Sequence, residues 1–297
     1  MVRLADKRMV ITGSSRGLGR GFAKACAAAG ASVVVNGTNE AALNETAEAI
    51  RAAGGKVAAV QGSVAQPAVA QALVRTCIES FGGIDVMVNN AGIVRDRTLL
   101  KMAVEEWDAV IEVHLRGAFL CTRQAALAMR EAGGGHIIQV ISASALAGGF
   151  GQGNYAAAKE GMIGLMRTAL LELNRFNIRN NALWPVGQTD MTEVVFERAR
   201  AAAAQRGEPP PDPVALGFGT PEEVAAGLVW LASDGAAHFN GQIMTFNGRK
   251  TGLWTHPAER HAAFRDTPWT ADDLDAYYTG VQPLPVNAPV RTPPAGK

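Results

Sequence analysis

At 297 residues the chain is long enough for one large α/β domain or two small ones. Its 48% hydrophobic and 19% charged side chains are those of a globular protein with a large core. A formal net charge of +1, with Lys and Arg spread along the chain, excludes an electrostatic footprint for nucleic acid. No apolar stretch approaches the roughly 18 residues that a membrane span needs. Cys26, Cys77 and Cys121 are odd in number and far apart. That predicts a reducing compartment, with neither disulfides nor a bound metal. The strand-like RMVIT starts at Arg8 with no secretory hydrophobic segment before it, so the expected location is cytoplasmic.

In chain order, strands are expected at 9–12, 32–36, 57–60, 85–89, 136–142, 179–183 and 242–246. Helices are expected between them, over 19–29, 40–53, 67–81, 104–130, 154–174 and 221–233. Thr220-Pro221-Glu222-Glu223 marks a helix start: a capping hydroxyl, a proline in the first turn and acidic residues beside it. Strands that are nearly all apolar, such as VVV and HIIQVI, predict burial on both faces of a parallel sheet. The alternation predicts a doubly wound α/β sheet with right-handed crossovers. It stops after Gly248. Residues 1–248 are therefore read as one domain and 249–297 as a C-terminal extension. Trp254, Trp269 and the helix start Thr270-Ala271-Asp272-Asp273 predict packed structure over 249–278, and VQPLPVNAPVRTPPAGK from Val281 predicts an extended arm.

The first strand leads directly into TGSSRGLGRG, residues 12–21. Glycines 13, 17 and 19 permit a tight turn and a close backbone approach to a pyrophosphate, which the following helix N-terminus attracts. This is the pattern of a dinucleotide site. The second strand ends in VVVNGTN, where Gly37 stands at the place of the carboxylate that holds the ribose diol of NAD. No acidic residue follows before Glu40, and Arg16 could pair with a 2′-phosphate while Thr38 adds a hydrogen bond. NADP is the expected cofactor, with NAD as the alternative.

Further on, GNYAAAKEG at 153–161 places Tyr155 and Lys159 on one helical face. A phenol titrates near 10, and a cation one turn away favours its ionised form. The pair is thus expected to pass protons at a substrate oxygen.

Together these residues resemble the short-chain dehydrogenase/reductase family. The loop Thr12 to Gly19 matches its first motif, NNAG at 89–92 its cofactor brace, and YAAAK its active-site signature. Ser142, thirteen residues before Tyr155, stands where the family keeps a catalytic serine. The resemblance covers about residues 6–248 and implies a Rossmann-type fold: a seven-stranded, doubly wound parallel sheet with helices on both faces. It implies an NAD(P)-dependent oxidoreductase in which Tyr155 is the acid/base, Lys159 tunes it and holds the nicotinamide ribose, and Ser142 polarises the substrate carbonyl. Implied cofactor contacts come from Gly13, Ser15, Arg16, Gly17, Leu18, Gly19, Gly37, Thr38, Ser63, Val64, Asn90, Ala91, Gly92, Tyr155, Lys159, Pro185 and Thr189. Members are commonly tetramers or dimers joined through two long helices, here 104–130 and 154–174.

Three places depart from the family pattern. His114 in EVHLRGAF stands where an asparagine often holds a relay water, and reads either as a relay member or as a buried, satisfied histidine. Ser63 replaces an aspartate that contacts adenine. The segment after the sixth strand is shortened to WPVGQTDMT. VHLRGAF, GFGQGNYAAAK and RDRTLLKM look most similar to (3R)-hydroxyacyl-CoA dehydrogenase units and 3-oxoacyl-carrier-protein reductases, which implies a 3-oxo/3-hydroxyacyl thioester as the small-molecule ketone/alcohol substrate.

LAGGFGQG at 146–153 is expected to wall the substrate cleft, with Phe150 either touching substrate beside Ser142 and Tyr155 or packing inward. Residues 190–217 are expected to form a substrate lid, helical over 192–206. Arg95 and Arg97 read as solvated loop charges or as partners for a thioester's phosphates. Two alternatives stay open: a steroid or cyclic-alcohol dehydrogenase with the same catalytic set, and a non-catalytic dinucleotide-sensing protein.

Overall fold

The computed structural model describes residues 4–189 and 191–281. The proline-rich arm, apart from Val281, and Asp190 of the expected lid lie outside the described residues. In chain order the elements are β1 (Arg8–Ile11), α1 (Gly17–Ala28), β2 (Ser32–Gly37), α2 (Glu40–Ala52), β3 (Lys56–Gln61) and α3 (Pro67–Phe81). β4 (Val86–Asn89), α4 (Val104–Ile111), α5 (Gly117–Ala132), β5 (Gly135–Val140), α6 (Ala143–Ala147) and α7 (Gly153–Leu173) follow. The last are β6 (Ile178–Pro185), α8 (Glu193–Gln205), α9 (Pro221–Ala232), β7 (Ile243–Phe246), β8 (Thr251–Trp254) and α10 (Ala271–Tyr278).

Why the strands read as continuous apolar runs is visible in their packing. In β1, Met9 and Ile11 face one core with Phe22 of α1, Ile50 of α2 and Leu228 of α9. Val10 between them faces the opposite core with Leu73 of α3 and Met129 of α5. Period-two alternation therefore buries Met9, Val10 and Ile11 on both faces of the strand. A third cluster packs Met162, Ile163 and Met166 of α7 against Ala182 of β6 and Ile243 of β7.

Strand order is β3-β2-β1-β4-β5-β6-β7-β8, parallel up to β7. The order reverses between β1 and β4, so the loops leaving their C-terminal ends part and leave a crevice. Both the glycine loop and the 89–92 segment open there.

The expected count of seven strands is corrected to eight among the described residues. β8 pairs antiparallel with β7, Ile243 opposite Trp254, and Trp254 Nε1 donates to Thr245 Oγ1 at 2.7 Å. Its signal is the Asn247-Gly248 pair after β7, a hairpin turn in which Gly248 takes φ +92°. The chain divides into compact units at 1–254 and 255–297, six residues later than expected, because β8 belongs to the sheet. In the second unit, Thr270 and Asp273 form a capping box on α10, Arg265 lies over the Trp269 ring, and the Tyr277 hydroxyl donates to the His261 carbonyl at 2.7 Å.

Two further boundaries differ. The helix expected over 104–130 contains a π-helical turn, Glu112–Arg116, between α4 and α5. One extra residue in that turn rotates the helix face and turns His114 inward. The fifth strand stops at Val140, because Ser142 leaves it to cap α6. Among the described residues no helix is long and apolar enough to cross a membrane.

Candidate active site

The glycine loop is built to receive a phosphate. Gly13 takes φ +63°, and a Cβ on it would lie 2.5 Å from Ala91 Cα, so the loop and the 89–92 segment touch backbone to backbone. Thr12 Oγ1 holds that contact by accepting the Asn90 and Ala91 amides at 2.9 and 3.0 Å, while Asn90 Nδ2 donates to the Thr12 and Gly13 carbonyls. The N-cap of α1 is Arg16, whose side chain has no acceptor and makes no cap bond to the first-turn amides. That arrangement suits an anion.

At the end of β2, a Cβ on Gly37 would lie 2.6 Å from Ser15 Oγ, so a carboxylate there requires Ser15 to move. Thr38 is exposed beside it, and Val64 is buried after β3 while Ser63 caps the local turn with a 3.3 Å bond to the Ala65 amide. Thr189 Cγ2 comes within 3.6 Å of the Cβ position on Gly17, which places the segment after Pro185 across the loop's mouth. These residues fit a dinucleotide.

The second group gathers at the ends of β5 and α7. Ser142 Oγ accepts the Ser144 amide at 3.3 Å, and a side-chain hydrogen bond links Ser142 with the Tyr155 hydroxyl. α7 starts at Gly153, so Tyr155 lies in its first turn and Lys159 about 6 Å further along the axis on the same face. Lys159 is 3% exposed; its ammonium donates to the Val140 carbonyl at 2.6 Å and lies 5.7 Å from the phenol ring centre. Ser142, Tyr155 and Lys159 are therefore brought together.

Burial pushes the Tyr155 phenol above its usual value, the Ser142 hydrogen bond pulls it back, and the Asp96 charge adds to the rise. Lys159 is itself pushed down to about 7 by burial. Burial is the largest influence on both groups, and it disfavours the charged form of each.

His114 packs edge-on against Tyr155, ring centres 5.1 Å apart. Its Nε2 meets both the amide and the carbonyl of Ile93, at 2.9 and 2.7 Å, while Nδ1 is buried without a partner. Burial and then the Lys159 charge push the imidazole down to about 3, so it is neutral at physiological pH. The tautomer decides which Ile93 group Nε2 bonds, and Nδ1 stays buried beside the Tyr155 ring.

With this geometry, residues 7–200 match the short chain dehydrogenase family. The chain is a member of that family. It is 38% identical over 298 residues to the hydroxyacyl-CoA dehydrogenase ChsB1 of Mycobacterium tuberculosis, covering 94% of this chain and 91% of that protein. To a 3-oxoacyl-[acyl-carrier-protein] reductase of Synechocystis it is 39% identical over 252 residues, 84% of this chain and 98% of the reductase. A short chain dehydrogenase from Mycobacterium avium has the same fold at a TM-score of 0.80 and 32% identity, covering 95% of this chain and 98% of that one. This protein is thus an NAD(P)-dependent oxidoreductase that interconverts CH–OH and C=O groups, and the dinucleotide-sensing alternative is set aside.

α8 is a helix where one was expected over 192–206, and it borders a cleft of about 600 Å³. Gln188, Thr189, Glu193, Phe196, Arg200 and Pro213 line it. Arg200 is paired with Glu193. Phe150 is 88% exposed, so it does not pack inward. Arg97 is paired with Glu106 at 2.9 Å, and Arg95 donates to the Val94 carbonyl. Sequence reasoning missed Thr12, Ser144, Gln152 and Asn154 as parts of the site. Thr12 and Gln152 stand inside motifs already singled out, but only the fold shows what they bond.

Proposed function

We propose that this dehydrogenase is a cytoplasmic, NADP(H)-preferring enzyme that interconverts a 3-oxoacyl and a 3-hydroxyacyl thioester. The observation that carries the substrate class is the near end-to-end match to a hydroxyacyl-CoA dehydrogenase, supported by the match to an acyl-carrier-protein reductase. The cofactor, when bound, supplies or accepts the hydride. Ser142 donates a hydrogen bond to the substrate oxygen and polarises the carbonyl. Tyr155 passes the proton to that oxygen. The phenol is protonated at neutral pH and serves as the acid in reduction, while burial disfavours the phenolate that alcohol oxidation needs. Lys159 holds the nicotinamide ribose, and His114 takes part as a neutral hydrogen-bonding group rather than as an imidazolium. Phe150 reaches substrate from the outer wall.

Absence of a carboxylate between Gly37 and Asn39, together with Arg16 at the neighbouring helix cap, supports the preference for a 2′-phosphate. Rates of NADPH and NADH oxidation with acetoacetyl-CoA, a steroid ketone and a cyclic ketone test the whole reading. Acetoacetyl-CoA with NADPH is expected to be fastest, and Arg16→Ala should weaken NADPH about tenfold more than NADH. A steroid ketone turned over faster, or equal losses for both cofactors, refutes the corresponding part.

The enzyme is further proposed to be a homotetramer or dimer joined through α5 and α7. Phe119 on α5 is 47% exposed and Leu171 on α7 is 81% exposed, as expected of a face that a second copy covers. Light scattering is expected to give a multiple of the 31.1 kDa chain mass; a monomer at micromolar concentration rejects this assembly.

A further inference from the structure

A chain of hydrogen bonds runs from the catalytic hydroxyls out to a neighbouring loop. Ser144 Oγ donates to Gln152 Oε1 at 2.6 Å, and Gln152 Nε2 donates to Asp96 Oδ2 at 3.1 Å. At the inner end, the Ser144 amide donates to Ser142 Oγ, and Ser142 is hydrogen-bonded to the Tyr155 hydroxyl. The two backbones are tied in parallel: the Arg97 amide donates to the Gly151 carbonyl at 2.8 Å, and Arg97 and Gln152 form an isolated parallel bridge. Asn154 adds another tie, donating to the Arg95 and Glu106 carbonyls at 3.0 and 3.1 Å while its Oδ1 accepts the Tyr155 amide at 2.7 Å.

We propose that Gln152 is a positioning residue whose amide joins the Asp96 loop to the Ser142–Ser144 turn and holds the Ser142 and Tyr155 hydroxyls in line with the substrate carbonyl. A primary amide suits this place because its oxygen accepts from a hydroxyl while its nitrogen donates to a carboxylate. The bond to ionised Asp96 is charge-assisted and stronger than its neutral counterpart. Ser144 is buried and Asp96 is exposed, so Gln152 fixes a buried turn to a loop at the mouth of the site. The Asp96 charge also bears on the Tyr155 phenol and raises it. The other titratable groups facing that phenol are Lys159 on its own helix and His114 in the π-helical turn, while Arg97 beside Asp96 is paired with Glu106.

This inference rests on Tyr155 as the acid, which a Tyr155→Phe variant tests separately. Steady-state kinetics are measured with the ketone that the wild-type enzyme reduces fastest. Gln152→Leu is expected to lower kcat roughly tenfold to a hundredfold, with the KM for NADPH and the melting temperature unchanged. Gln152→Glu keeps the acceptor for Ser144 but sets a carboxylate against Asp96, so kcat should fall at pH 8 and recover as pH drops. Adding Asp96→Asn to Gln152→Glu restores the donor–acceptor match and most of the rate. In Asp96→Asn alone, the pH at half-maximal alcohol oxidation should move down, because the anion that opposes phenolate is gone. Wild-type kcat and pH profile in Gln152→Leu, or a double variant no faster than Gln152→Glu, overturns the proposal. The Glu and Asn variants are nearly isosteric, so the test survives a leucine variant that folds poorly.

Discussion

Tyr155→Phe is expected to lower kcat about 10³-fold in both directions while leaving NADPH affinity within about twofold of wild type. Only the hydroxyl that meets Ser142 is removed; the ring that packs on His114 stays. Fluorescence titration with NADPH and single-turnover reduction measure the two quantities on one preparation. Loss of rate with binding retained assigns the hydroxyl to proton transfer rather than to cofactor affinity. A variant within tenfold of wild type shows that the acid lies elsewhere. Above neutral pH the wild-type oxidation rate should rise and the reduction rate fall, because burial raises the phenol and alcohol oxidation needs its ionised form. Tyr155→Phe should show neither trend.

The second large effect is on stability in acid. His114 is held down to about 3 in the folded protein against about 6.5 unfolded, so below pH 6.5 the unfolded chain binds the additional proton. Unfolding free energy therefore falls as pH drops from about 6.5 to about 3, by roughly 1.4 kcal/mol per pH unit from this residue. His136 adds in the same direction, since burial between Asn181 and Arg179 also pushes its imidazole well below the usual value. Lys159 acts in a different window. Its lowered value makes stability rise with pH between about 7 and about 10.5.

Urea denaturation at pH 7 and pH 5 reads the histidine effect. Between those values the wild type should lose about 2 kcal/mol more than His114→Asn, whose amide can still bond Ile93 without titrating. An equal pH slope in the two proteins shows that the buried imidazole is not held neutral.

Much of this fold is legible along the chain because it is written in local pattern. Alternating apolar strands and alanine-rich helices specify a parallel sheet, since both strand faces must be covered. Thr220-Pro221-Glu222-Glu223 starts α9 with a capping box, as its chemistry dictates. β8 escaped because a four-residue strand with half-exposed positions carries little pattern, and its one clear mark is the turn at Asn247-Gly248. The π-helical turn escaped because EVHLRGAF has an ordinary helical composition. The tertiary environment selects the bulge by burying His114.

The site divides in the same way. Sequence alone determined which groups are present and in what order: glycines before a helix start, a serine after the fifth strand, a tyrosine and a lysine four apart on one helical face. Spacing within a single element determines which side chains share a face, so those pairings were accessible without coordinates. Tertiary structure alone decided how these groups titrate and what orients them. Desolvation depends on everything packed around a group, which is why Lys159 falls to about 7 and the phenol rises. Likewise, Gln152 is bonded to Ser144, 8 residues away, and to Asp96, 56 residues away, and only the return of α7 beside the loop after β4 brings that carboxylate to the amide.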